Sequence, residues 1–181
     1  SNNGSEIWRT SISIDDSSPT IYNGVVLVGN VALNSMTGEL LWQYDSSLYG
    51  NPSSVHSTTE SYGPTVSNGL VFYSGSENFA NYEQNEYIFA VNVNSGEEVW
   101  RQQIDNREWS HTSIIAASNN TLYFTTNESG FHYRYALNAS TGEIVWKIEG
   151  DSYTDLESCP AIGYGKVFIN SFKGLYAVDQ V

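Results

Sequence analysis

A single cysteine, Cys159, stands in a chain of 181 residues. One thiol excludes an intrachain disulfide framework and cannot by itself build a thiolate metal cluster. Basic residues are scarce as well. Seven Lys and Arg, only three of them Lys, face 20 Asp and Glu, for a formal net charge of −13. A surface of that sign repels phosphate backbones and anionic bilayers, so nucleic-acid binding is set aside. Long apolar runs are missing: Val25-Val26-Leu27-Val28 is among the longest, far short of the ~20 residues that span a bilayer. No basic stretch leading into an apolar one opens the chain, so a leader is expected to have been removed or to lie upstream. Helical periodicity is absent too, since no dozen residues show it free of glycine or turn clusters.

What is present is a repeat. Three segments align without gaps: Ala32-Leu33-Asn34-Ser35-Met36-Thr37-Gly38-Glu39-Leu40-Leu41-Trp42, Ala90-Val91-Asn92-Val93-Asn94-Ser95-Gly96-Glu97-Glu98-Val99-Trp100 and Ala136-Leu137-Asn138-Ala139-Ser140-Thr141-Gly142-Glu143-Ile144-Val145-Trp146. Each places Ala ten residues before Trp. A fourth copy starts at Ala177-Val178-Asp179, and Gly4-Ser5-Glu6-Ile7-Trp8 supplies a separate second half. The pattern predicts a hairpin: an apolar strand, an Asn or Asp that bonds the next amides, a Gly for positive φ, and a strand ending in Trp. Small Ala fits where sheets approach closely, and Trp supplies a flat surface to bury between them. Upstream of each Ala lies a second hairpin, as in Pro19-Thr20-Ile21-Tyr22-Asn23-Gly24-Val25-Val26 and Pro64-Thr65-Val66-Ser67-Asn68-Gly69-Leu70-Val71. Strands apolar on successive residues are covered on both faces, which stacked sheets provide.

The expectation is an all-β propeller of four four-stranded repeats in one domain, 1–181, with repeats at roughly 17–44, 62–102, 111–148 and 158–181 and a separate strand at 4–10. Trp8, Trp42, Trp100 and Trp146, with Gly38, Gly96, Gly142, Ala32, Ala90, Ala136 and Ala177, are its structural positions. The strand at 4–10 is expected to complete the last blade, within its own chain or on a neighbouring subunit. A left-over edge would otherwise present unpaired strand groups. The segment Ser74 to Glu86 reads as an inserted loop, with Phe79 and Tyr82 as candidate partner contacts. Trp109, outside the repeat, is another.

These segments resemble the pyrroloquinoline-quinone (PQQ) type of propeller repeat, over nearly the whole chain. The family includes eight-bladed quinoprotein alcohol dehydrogenases and non-enzymatic scaffolds, among them the propeller lipoprotein of the bacterial outer-membrane assembly machine. Fold alone does not assign function. The dehydrogenases carry a full propeller, adjacent cysteines under the cofactor, calcium ligands and an aspartate base; this chain has one Cys and four repeats. The resemblance therefore implies a scaffold without catalytic or cofactor-binding residues, acting on protein partners and on itself through the terminal strand. The other reading is a Ca2+- or PQQ-binding piece of a larger quinoprotein dehydrogenase.

Strand-leading segments should converge near the axis, so Asp16, Glu60, His111 and Glu157 form a conceivable cation rim of oxygen and imidazole ligands. A solvated acidic rim is the plainer reading. His56, His111 and His132 show no metal-motif spacing. Cys159, before Pro160, reads as a small buried residue without a base to activate it. The sequons at Asn3, Asn119, Asn127 and Asn138, with few Lys and many Ser, Thr and Asn, point to an extracellular or cell-surface protein, with a periplasmic location also compatible.

Overall fold

The computed structural model describes residues 4–12, 18–44, 64–78, 84–105, 111–128, 130–150, 159–171 and 173–181. Among these the chain is all β. The first blade holds β1 (Thr20–Tyr22), β2 (Val25–Val28), β3 (Val31–Asn34) and β4 (Leu40–Gln43), antiparallel in that order. The second holds β5 (Thr65–Ser67), β6 (Leu70–Asn78), β7 (Gln84–Asn92) and β8 (Glu98–Asp105). In the third, β10 (Ala116–Ser118), β11 (Thr121–Glu128), β12 (Phe131–Asn138) and β13 (Ile144–Glu149) are joined by short β9 (His111–Thr112), which pairs with β11. The fourth has three strands among the described residues: β14 (Ala161–Gly163), β15 (Lys166–Ser171) and β16 (Gly174–Asp179).

Local chemistry explains both hairpins. The first turn places two successive residues at positive φ: Asn23 and Gly24 (46° and 82°), Asn68 and Gly69 (52° and 77°), Asn119 and Asn120 (49° and 61°), Tyr164 and Gly165 (54° and 69°). That is the type I′ geometry whose twist matches paired strands. In the second turn one Asn does most of the work. Asn92 Oδ1 accepts from the amides of Asn94 (2.9 Å) and Ser95 (3.2 Å), while the Asn92 carbonyl accepts from Gly96 N at 2.9 Å. Asn34 and Asn138 repeat the arrangement. The Ser or Thr two residues before Glu bonds its carboxylate, as Thr37 Oγ1 does to Glu39 Oε2 at 3.0 Å. The two turns are then tied together by Ser35 N to Gly24 O, Val93 N to Gly69 O, Ala139 N to Asn120 O and Gln180 N to Gly165 O, all 2.8–3.0 Å.

Successive sheets stack face to face, and each interface is a separate apolar cluster. Leu27, Ala32 and Trp42 meet Val71, Phe89 and Val91 between the first and second blades. Phe72, Ile88 and Ala90 meet Leu122, Phe124 and Leu137 between the second and third. Tyr123, Ala136 and Trp146 meet Val167, Ile169 and Val178 between the third and fourth. The innermost strands touch in series, β1 to β5 to β10 to β14.

Two expectations need correction. The segment Ser74 to Glu86 is mostly not a loop: β6 and β7 run through it in register, Ser76 opposite Glu86 and Asn78 opposite Gln84. Continued cross-strand pairing against the third blade outweighs the low strand propensity of its Gly, Asn and Glu. Residues 4–10 do not complete the last sheet of their own chain. They carry no strand pairing among the described residues, and Trp8 is seated on the first blade, its ring against Gly38 and its Nε1 donating to Ser35 O at 3.1 Å.

Candidate functional site

Trp8 obeys a rule shared by the next two repeat tryptophans. Trp42 Nε1 donates to Val93 O and Trp100 Nε1 to Ala139 O, both at 2.9 Å, so each indole reaches the turn of the following blade. The Gly of that turn lies flat beneath the ring. A Cβ on Gly38, Gly96 or Gly142 would fall 2.5, 2.8 or 2.5 Å from an indole carbon. Glycine is thus required twice, for φ of 73–76° and for the approach of the ring.

The same Trp also covers its own sheet. Trp100 packs on Phe72 with ring centroids 6.0 Å apart, and Trp146 on Tyr123 at 6.1 Å. In the fourth blade the corresponding aromatic is Phe168, half-buried, with Ala177 opposite it. Ala32, Ala90 and Ala136 are 0% exposed, whereas Ala177 is exposed and Leu175, two residues before it on the same face, is 71% exposed. One sheet face and the outer edge of β16 therefore stand open among the described residues.

A second feature lies at the hairpin end where β6 meets β7 and β11 meets β12. These strands have 8–9 residues, against 4 for β2 and β3. The added length holds buried polar side chains. Glu86, 1% exposed, accepts from Thr112 Oγ1 at 2.9 Å across the second and third blades. Glu128, also 1% exposed, accepts from Tyr135 OH (2.5 Å), Thr126 Oγ1 (3.0 Å) and Lys147 Nζ (2.8 Å). Lys147 Nζ stands 3.9 Å from the Tyr133 ring centroid, a cation on an aromatic face. On the opposite face of the third blade, Arg134 lies over Tyr176 of β16 at 4.5 Å, and His132 Nδ1 is buried with no hydrogen-bond partner among the described residues. Between the first and second blades Tyr44, Tyr73 and Phe89 stack, with centroids 5.3–6.4 Å apart. The Tyr73 hydroxyl has no hydrogen-bond partner among the described residues, and burial pushes its phenol far above the usual range.

Of the residues singled out from sequence, Asp16, Glu60 and Glu157 of the cation rim lie outside the described residues, as do Trp109, Phe79, Tyr82, His56 and Asn3; His111 is described only in its backbone. Among the described residues no three His, Cys, Asp or Glu gather as a metal group. Cys159 is exposed, not buried, because it lies at the surface before β14; partial burial still raises its thiol, whose Sγ donates to Pro160 O at 3.5 Å. Asn119 is exposed, Asn127 Oδ1 is taken by Gly130 N at 2.7 Å, and Asn138 Oδ1 by its turn amides. The sequence reading missed Glu86, Glu128, Arg134 and Lys147. The only signal they left was aromatic alternation in Phe131-His132-Tyr133-Arg134-Tyr135.

Among solved structures, the chain is similar to the quinohemoprotein alcohol dehydrogenase ADHIIG of Pseudomonas putida HK5 at 18% identity and a TM-score of 0.56, over 76% of this chain and 21% of that one. It is also similar to the computationally designed Ika8 protein, at 12% identity and a TM-score of 0.61, over 91% of this chain and 45% of that one. These likenesses establish the propeller fold. Among curated proteins, the outer membrane protein assembly factor BamB of Legionella pneumophila is 30% identical over 137 residues, 72% of this chain and 32% of the relative. The tetrathionate hydrolase of Acidithiobacillus ferrooxidans is 28% identical over 146 residues, 79% of this chain and 25% of the relative. The chain thus spans about a quarter to a third of the length of these relatives. A family model described as outer membrane protein assembly factor BamB, of the PQQ_2 kind, matches residues 84–181, more than half of the chain, and the repeat, the turns and the stacked sheets together place this chain in that PQQ-type propeller family.

Proposed function

We propose that this chain is a non-catalytic scaffold of the cell envelope that engages proteins, further copies of itself included, through the surfaces of its blades. The observation that carries the reading is the match of residues 84–181 to a family model described as an outer membrane protein assembly factor. Support for a scaffold comes from the buried acids of the second and third blades, which bond to Thr, Tyr and Lys of adjoining strands. The location rests on the similarity to an outer membrane protein assembly factor. No described helix is long and apolar enough to cross a membrane. No cofactor and no glycan is assigned to this reading.

The test is self-association of the purified chain: light scattering should show a mass that rises above that of one chain as concentration increases, and a chain that stays monomeric at every concentration refutes the reading.

A further inference from the structure

The lysine on the outer strand of the third blade occupies a seat that its neighbours build without it. Lys147 on β13 faces Tyr135 on β12, and Tyr133 lies two residues along the same strand, opposite Glu149. Lys147 Nζ stands 3.9 Å from the Tyr133 ring centroid, 5.0 Å from that of Tyr135 and 2.8 Å from Glu128 Oε2. Two ring faces and a carboxylate around one nitrogen suit an alkylammonium: the ring quadrupoles attract its charge and the carboxylate accepts an N–H.

The walls of the seat are fixed by contacts that leave Lys147 out. Phe124 backs the Tyr135 ring, with centroids 5.1 Å and planes 7° apart. The Tyr135 hydroxyl and Thr126 Oγ1 both donate to Glu128 Oε1, at 2.5 and 3.0 Å, while Oε2 takes the cation. Tyr135, Thr126 and Glu128 are each 1% exposed. The occupant differs from its walls: the Lys147 side chain is 35% exposed, on a strand with no outer neighbour among the described residues. Its departure into water would leave a buried carboxylate without a cation, a state that a second cation relieves. We infer that Glu128, Tyr133 and Tyr135 form a binding site for a primary alkylammonium, with Lys147 as a built-in competitor. A lysine side chain of another protein and a free amine present the same group, a compact charge with three N–H donors on a slim stem.

Lys147→Ala vacates the seat, because the atoms it removes beyond Cβ are those of propylammonium. The urea midpoint of this variant, followed by tryptophan fluorescence, should rise with propylammonium by equal steps for each tenfold increase above half-saturation. The parent chain, its seat filled, should not respond over the same range. Propanol, which lacks the charge, and tetramethylammonium, which lacks N–H donors, should leave the midpoint of Lys147→Ala in place. Adding Tyr133→Leu should weaken the amine by on the order of tenfold. N-acetyl-lysine methylamide separates the two sources: a rise like that from propylammonium admits a partner's lysine, and a rise from propylammonium alone restricts the site to free amines. No rise with either amine, or an equal rise with propanol or in the parent chain, would overturn the inference. If Lys147→Ala does not fold unaided, saturating propylammonium during refolding should restore the parental fluorescence, and a chain that stays unfolded in it counts against the site equally.

Discussion

Replacing Gly142 with Ala isolates the contact that locks one blade to the next. The residue sits at φ +76°, and an added methyl would come 2.5 Å from Trp100 Cε3 and 2.9 Å from Cδ2. Carbon atoms rest at about 3.5–4.0 Å, so the indole or the turn must shift by roughly 1 Å. A shift of that size also opens the 2.9 Å bond from Trp100 Nε1 to Ala139 O. Left-handed strain in Ala costs about 1–2 kcal/mol, overpacking about 1–3 and the lost hydrogen bond about 1. The sum is roughly 3–6 kcal/mol, a large part of a domain's stability. Gly69 is the matching control. Its φ is +77° and nothing lies within 4 Å of the added carbon, so Gly69→Ala keeps the strain and omits the collision. Urea unfolding followed by tryptophan fluorescence should give Gly142→Ala a midpoint loss worth about 2–4 kcal/mol more than Gly69→Ala, at unchanged slope. Adding Trp100→Leu should shrink that excess, since the double variant has no ring to strike. If both glycine variants lose the same stability to within ~0.5 kcal/mol, the flat ring-on-turn contact does not hold the blades together.

Two further outcomes follow from the buried polar groups. Tyr73→Phe removes a hydroxyl that is buried without a partner among the described residues and should stabilise the fold by about 1 kcal/mol, measured in the same urea experiment. The pH sign is set by the raised phenol of the native state: the contribution is complete below the unfolded value of about 10 and is lost as pH climbs above it. Tyr73→Phe should therefore flatten the alkaline decline in stability, and an unaltered decline would contradict the assignment. Lys147→Met takes the cation from a carboxylate that is 1% exposed while the lysine itself is 35% exposed. Removing one partner of a fully buried pair costs about 3–5 kcal/mol, and the partial exposure of Lys147 reduces this to about 2–3. Lys147→Arg should recover most of it, and a Lys147→Met chain with the parental urea midpoint would refute the pairing.

The repeat was legible because its residues act within one hairpin. Ten residues from Ala to Trp, with Asn, Gly and Glu between, encode a turn whose bonds all close inside that span, and the structure returns Asn34, Asn92 and Asn138 in identical roles. The seat of Trp8 was not legible. Spacing inside one repeat says nothing about which blade an indole reaches, and the rule that Trp lands on the next Gly emerges only when two blades are stacked. Glu86 and Glu128 were hidden for a related reason. Along Phe124-Thr125-Thr126-Asn127-Glu128 the residues grow more polar toward the hairpin, as a strand does on leaving a core. The neighbouring blade extends equally far and buries them, a fact of the pair rather than of either strand.

That division bears on where the molecule can vary. At the end with the Asn turns every blade repeats the same bonds, so a substitution there removes a contact found several times over and acts on stability. At the opposite end the described blades differ in strand length. The first closes with Gly29-Asn30 between 4-residue strands, the second and third extend to 8–9 residues around Glu86 and Glu128, and β15 and β16 have 6. Contacts at that end belong to particular blades, as Glu86 to Thr112 ties the second to the third, while the Trp and Gly pairs hold the first to the second and the second to the third in the same way. Substitutions at the repeated turns therefore act on each of those blade contacts alike, whereas those at the opposite end act on one pair of blades.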